Sequence, residues 1–244
     1  MKSRSVLAPV FAFTFALAAG ALQAAPVVYE GSDPSASLGS ATPSSDAVAA
    51  VFDAAAAGLG TSHLINFESV PLGAFSSLGI APGVTVSGVG YTGAATHTIA
   101  AGELRAGCGN VCGFNTTPGG SRYLDVDANF ITFTFADPIS AFGAYLTGLQ
   151  LAGETVNFSD GLSRSIMLTN FGSGVQFFGF TDAGASITSI VLDTRNPSNS
   201  LGDFIGVDDI RYVTAAATAV PEPGTLALVG LALVGLTASR RRRQ

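Results

Sequence analysis

Between residues 131 and 135, apolar and polar side chains alternate without interruption. Ile131, Phe133 and Phe135 share one face; Thr132 and Thr134 share the other. A repeat of two belongs to a strand with one face against a core and one against solvent. The same period recurs along most of the chain, and no long helical pattern breaks it. Strands are predicted over residues 64–68, 84–89, 129–135, 139–147, 154–158, 163–168, 175–180, 187–193 and 204–213. Ser159-Asp160-Gly161 is a suitable hairpin turn between the fifth and sixth of these. With one or two more strands in 91–127, the set reaches about eight to ten, closely spaced and rich in turns. That pattern predicts an all-β fold: an antiparallel β-sandwich, jelly-roll-like, over residues 63–213.

One short helix is predicted ahead of it. Val48, Val51, Phe52, Ala55 and Leu59 recur at helical spacing. Ser44 or Ser45 can cap its start, and Gly58 and Gly60 can end it. Residues 26–44 are rich in Ser, Ala, Gly and Pro and read as a flexible leader, so 25–62 is assigned to leader plus helix.

Both ends carry targeting signals. Lys2 and Arg4 precede an uncharged, mostly apolar run over 6–19, and Ala24 offers a small residue for cleavage. Residues 1–24 therefore read as a secretory signal peptide. At the other end Pro221-Glu222-Pro223 is followed by an apolar run over 226–239 and four arginines, Arg240, Arg241, Arg242 and Arg243. That run is short for a membrane span, and the arginines would hold its end in the cytoplasm, leaving the domain outside. Hydrophobic helices are thus expected at both termini, with 214–244 forming a linker and tail.

Without the ends, the chain keeps five arginines, no lysine and sixteen acids, a net charge of −11 against −6 for the whole. Such a surface repels phosphate backbones and excludes nucleic acid as a partner.

The tail resembles the PEP-CTERM sorting signal of Gram-negative bacteria: Pro221, Glu222 and Pro223, then a short hydrophobic helix and an arginine cluster, in that order. The resemblance implies an exosortase-type processing protease as partner and transient anchoring in the inner membrane. Release to the cell surface or extracellular matrix would follow. Residues 114–120, 139–145, 177–182 and 204–209 resemble blocks shared among exported proteins bearing this signal.

The strongest chemical constellation joins the first and last strands of the domain. In 204–213, Ile205 and Val207 share one parity while Ile210 and Tyr212 share the other. A strand changes faces only with an extra residue, so a β-bulge is predicted near Asp208-Asp209. Glu68 would lie close by, giving an all-oxygen site. The two segments resemble the ends of jelly-roll carbohydrate-binding modules, which implies Glu68 and Asp208 as ligands of a structural calcium. The competing reading has the two aspartates capping a turn and Glu68 in solvent.

Other features say less. Asp125-Val126-Asp127 lacks the glycine and the later glutamate of a calcium loop and reads as strand, its acids facing outward. Cys108 and Cys112, the two cysteines, are expected to form a small disulfide in an exported chain. His63 and His97 are the two histidines, and Ser62 beside His63 is not a triad. No nucleophile elbow, phosphate loop or metalloprotease helix occurs. Glu68 with Asp208 could act as a glycosidase-like pair, but the reading is non-catalytic. Sugar-binding faces use exposed aromatics. With no Trp, Tyr123 after the glycine-rich loop 117–122 is the candidate ligand-binding residue, set against a simple packing role. The expected role is structural or adhesive, in an exopolysaccharide matrix, with a lectin-like glycan-binding module as the alternative and a glycan-active enzyme behind both.

Overall fold

The computed structural model describes residues 25–91, 97–104, 112–151, 153–159, 164–168, 174–195 and 202–215. The signal peptide, the tail with its hydrophobic segment, the 159–161 turn beyond Ser159, and Cys108 lie outside the described residues. In chain order the elements are β1 (Val27–Pro34), α1 (Pro43–Ala56), β2 (Gly60–Ile65), β3 (Gly73–Phe75), β4 (Ser77–Ala81), β5 (Val84–Gly88), β6 (His97–Ala101), β7 (Glu103–Leu104) and β8 (Gly113–Phe114). They continue as β9 (Arg122–Asp127), β10 (Phe130–Thr147), β11 (Thr155–Ser159), β12 (Arg164–Met167), β13 (Gly174–Thr181), β14 (Ile187–Asp193) and β15 (Phe204–Ala215). The all-β reading with one short helix is the observed architecture, and every strand pairing is antiparallel.

β10 organises the sandwich. Its first half pairs with β5 and β14, its second half with β13 and β15. The register shifts between Thr134 and Ile139, where Asp137-Pro138 interrupts the ladder. Two strands expected from the sequence are thus one strand that passes from one layer to the other. A proline is tolerated there because the partners change at that point. The inward side chains of both layers, among them Phe133, Phe142, Phe178, Phe180 and Val207, form one core.

The leader departs from expectation. Residues 27–34 are not flexible: β1 pairs along its full length with β13, from Val27 opposite Thr181 to Pro34 opposite Gly174. Its composition hides the strand, because backbone pairing and not apolar alternation holds it. α1 then lies on the outer face of β13 and β10. The buried helix residues are Ser45, Ala49, Phe52 and Ala56, a face rotated from the one expected; Val51 is exposed. Phe52 packs on Phe177 at 5.5 Å and on Tyr29 at 5.7 Å between centroids. Tyr145, Val175 and Val213 complete this second cluster. Both faces of β13 are therefore buried, and apolar residues dominate 175–180, with Gln176 the polar exception. The helix start is capped from outside: Asp33 accepts from the amides of Ser44 at 3.0 Å and Ser45 at 2.8 Å. A carboxylate there satisfies orphan donors and complements the helix dipole. The Ser45 hydroxyl, expected to cap, donates instead to Gly31 O.

Candidate functional site

The site forms where β15 exchanges partners along one edge. Phe204 to Val207 pair with β9, and Ile210 to Ala215 pair with β2. Asp208 and Asp209 fall in the gap between those two strands. On the opposite edge Arg211 faces Gly143 while Asp208 faces Tyr145, so β15 carries one extra residue there. This is the predicted bulge, and Asp209 occupies the left-handed region at φ 46°. β2 ends at Ile65, beside Ile210. The chain then turns sharply at Phe67, φ 60°, with the Glu68 amide bonded to Asn66 Oδ1, and presents the Glu68 carboxylate to the same gap. A left-handed conformation costs on the order of 1 kcal/mol for each of these non-glycine residues. Both flank the same cluster.

The segment 114–122 closes the gap. Thr147 Oγ1 accepts from Phe114 N–H at 3.0 Å and donates to Phe114 O at 3.2 Å, which pins the entrance to this loop. The Asn115 amide donates to Glu68 Oε1, Asp208 Oδ2 and Arg122 O at 3.2, 3.1 and 2.9 Å. Asp208 Oδ2 further accepts from Thr116 N–H at 2.7 Å, Thr116 Oγ1 at 3.1 Å and Thr117 N–H at 3.1 Å. Its Oδ1 accepts from Asp209 N–H at 2.8 Å. Thr117 Oγ1 donates to Asp209 Oδ1 at 2.8 Å. Glu68 Oε1 accepts from the amides of Ser121 and Arg122, each at 2.8 Å. Gly119 supplies the positive φ of the turn, and a Cβ on Gly120 would overlap the Glu68 carboxylate.

Glu68 and Asp208 are thus brought together, as the sequence suggested, but as a hydrogen-bonded clasp. The oxygens that face one another across Asn115 have their lone pairs taken by N–H and O–H donors. Among the described residues, no three His, Cys, Asp or Glu side chains converge in a metal-holding group. Asp208 is fully buried. Burial, then the charge of Asp209, pushes its carboxyl up to about 7, against the lowering effect of the Thr116, Asp209 and Thr117 amides.

Other sequence-derived residues fall elsewhere. Tyr123 has no exposed surface: it lies in β9, packed under Gly113 and Gly206. It cannot stack on a sugar, and the packing role is the correct one. Asp125 does not face outward either. It is 7% exposed, and burial followed by the Asp127 charge pushes its carboxyl up to about 7. His63 stacks on Tyr212 at 4.7 Å, and buried His97 accepts from Asp127 N–H and donates to Phe130 O. Cys112 is buried and not a free thiol; Cys108, its expected partner, lies outside the described residues.

Beside the clasp runs an open groove of about 870 Å³, between the start of α1 and the 114–120 loop. Its floor is Tyr145 and Arg211. The guanidinium lies 5.1 Å over the Tyr145 ring, donates to Asp209 O at 2.9 Å and pairs with Asp53 at 3.3 Å. The Tyr145 hydroxyl donates to Asp46 Oδ1 at 2.6 Å. Asp46, Asp53, Asp209 and Thr117 supply polar walls. The sequence did not single out Asp46, Asp53 or Arg211, because they meet only once α1 docks on β10 and β13.

Residues 219–243 match the PEP-CTERM protein-sorting motif. Such a motif marks an exported protein that is processed at the membrane. No curated protein matches the chain. Among solved structures, it is similar to a family 29 carbohydrate-binding module, CBM29_1 from Piromyces equi. The likeness is at 11% identity and TM-score 0.34, covering 65% of this chain and 93% of that one. A mutant of CBM29-2 is similar at 10% identity and TM-score 0.31, covering 67% and 97%. Likenesses this distant carry no argument about ligand.

Proposed function

We propose that this chain, sorted by the PEP-CTERM motif in its tail, is a non-catalytic cell-surface or extracellular-matrix protein with a structural or adhesive role in exopolysaccharide. One observation carries the reading: the motif at 219–243 begins four residues after the last strand of the sandwich ends at Ala215. A protease acting near Pro221, Glu222 and Pro223 would release the whole domain. The natural test is to express the full chain in isogenic hosts with and without an exosortase. Release of a shortened form into the matrix fraction is expected in the first host, and a full-length membrane-bound form in the second. Identical products in both hosts would end this reading.

The groove favours glycan binding as the second reading. Carboxylates and a guanidinium spaced along an aromatic floor suit vicinal hydroxyls, which both accept and donate hydrogen bonds. Asp53, whose side chain is half exposed, can be changed without disturbing the core. On a glycan array the protein is expected to bind saturably, and Asp53→Asn to weaken binding by about tenfold. Binding that ignores Asp53→Asn would place any glycan elsewhere.

A further inference from the structure

The charge balance of the groove beside the clasp narrows what can lie in it. Among the described residues that line it, the charged side chains are Asp46, Asp53, Asp209 and Arg211. Arg211 is already committed: it lies over the Tyr145 ring, donates to Asp209 O, pairs with Asp53 and is 20% exposed at its side chain. Behind the 114–120 loop stand two more acids, Glu68 and Asp208. Beside the groove, Glu103 accepts from Leu38 N–H at 3.0 Å. The domain has no lysine and a net charge of −11, five arginines against sixteen acids. An anionic glycan, whether a uronate or a sulfate ester, would meet these acids with one occupied guanidinium to answer it.

Asp46 and Asp53 face the opposite kind of ligand. Both lie on α1 and both line the groove, two turns apart on one face and about 10 Å along the axis. The Tyr145 and Thr42 hydroxyls both donate to Asp46 Oδ1, at 2.6 and 3.1 Å, which leaves Oδ2 to a ligand. The Asp53 side chain is 53% exposed, and its 3.3 Å pair with Arg211 is of the weak surface kind. Ala49 and Ala50 lie between the two acids and let a chain approach closely. Leu38 and Pro118, both exposed, add apolar surface for the C–H face of a sugar ring. The negative field reaches the floor: burial, then the Asp46 bond and charge, push the Tyr145 hydroxyl up, against the lowering effect of Arg211. We propose that the groove takes a polysaccharide bearing free amino groups, such as a deacetylated hexosamine polymer, with ammonium groups on rings roughly a disaccharide apart answering Asp46 and Asp53. The proposal rests on the glycan-binding reading of the groove and adds the class of sugar. Two carboxylates fixed at one spacing suit a stiff chain of repeating rings. A flexible cationic peptide would lose more conformational freedom for the same two contacts.

Calorimetric titration of the purified full chain at about pH 6 tests this with a glucosamine oligomer, the N-acetylated oligomer of the same length, an oligouronate and an oligolysine. The glucosamine oligomer is expected to bind about tenfold more tightly than its N-acetylated counterpart, the worth of two surface ion pairs, and the oligouronate not at all. Added salt should erode the preference. Asp46→Asn keeps an acceptor for the Tyr145 hydroxyl, so it is expected to fold and to cut the preference at least about twofold. Hydrogen exchange of the unmodified protein gives the place: the glucosamine oligomer should slow exchange in 43–53 and 114–120. Equal affinity for the two hexosamine oligomers, with protection in the groove, would overturn the amine preference and leave the glycan reading standing. Binding of neither, or protection elsewhere, would overturn both. Oligolysine binding as tightly as the glucosamine oligomer, tight binding of the oligouronate, or a preference untouched by Asp46→Asn would also overturn the proposal.

Discussion

Asp208→Ala is expected to destabilise the domain by about 3–5 kcal/mol, the range for removing one partner from a buried charged network. The carboxylate receives donors from Asn115, Thr116, Thr117 and Asp209. Deleting it leaves those N–H groups buried without acceptors, and the loss of the acceptor matters more than the loss of a charge. Asp208→Asn keeps one oxygen, so its cost should be smaller. Urea unfolding gives the magnitude, and hydrogen exchange gives the place: the amides of Thr116 and Thr117 should lose protection first. A loss below about 1 kcal/mol would mean that the clasp is not the closure of the 114–122 loop.

The second large effect concerns pH. Stability is expected to fall as pH rises from about 4 to about 7. The cause is Asp125, whose carboxyl burial and the Asp127 charge push up to about 7 from an ordinary 3.8. The native state therefore binds the proton more tightly than the unfolded chain. Its contribution is fully present at pH below 3.8 and is lost as pH passes through 7. At about 1.4 kcal/mol for each pKa unit, Asp125 alone shifts stability by a few kcal/mol. Asp208, raised to the same value, adds to the slope with the same sign. Asp193, held low by Arg195, opposes it only at the acid end, and His97, whose ring burial holds below its ordinary range, opposes it as pH rises toward 6.5. Urea midpoints at pH 5 and pH 8 should differ accordingly, and Asp125→Asn should shrink the difference to the part that Asp208 carries. A midpoint that rises toward pH 8 would contradict the burial of Asp125 as a cause.

Some of this was legible in the residues and some was not. The bulge at Asp208-Asp209 could be read because a change of parity between Val207 and Ile210 has one geometric solution. That Glu68 lies beside it could be read because β2 and β15 are the outer members of one alternating set. The clasp itself could not, since its donors are main-chain amides of 116, 117, 121 and 122, which every sequence has. The one visible sign was the run Asn115-Thr116-Thr117 ahead of Pro118-Gly119-Gly120: three donor side chains, then a turn able to fold back. Tyr123 was misplaced for a related reason. A tyrosine after a glycine-rich loop looks exposed until that loop folds over it. β1 escaped notice because a strand held by backbone pairing to β13 needs no apolar alternation of its own.

β15 stands inside the sheet, with β10 along one edge and β2 or β9 along the other. It is also the strand from which the chain departs toward the sorting motif. A pull on the C-terminal end of the domain would draw on that strand lengthwise. Ladder bonds lie across an antiparallel strand, so a lengthwise pull shears both edges together and cannot unzip one pair at a time. β1, at the other end of the domain, has β13 as its one sheet partner and would peel far more readily. The end of the domain nearest the sorting motif is thus its mechanically strong end, where a load meets two ladders at once.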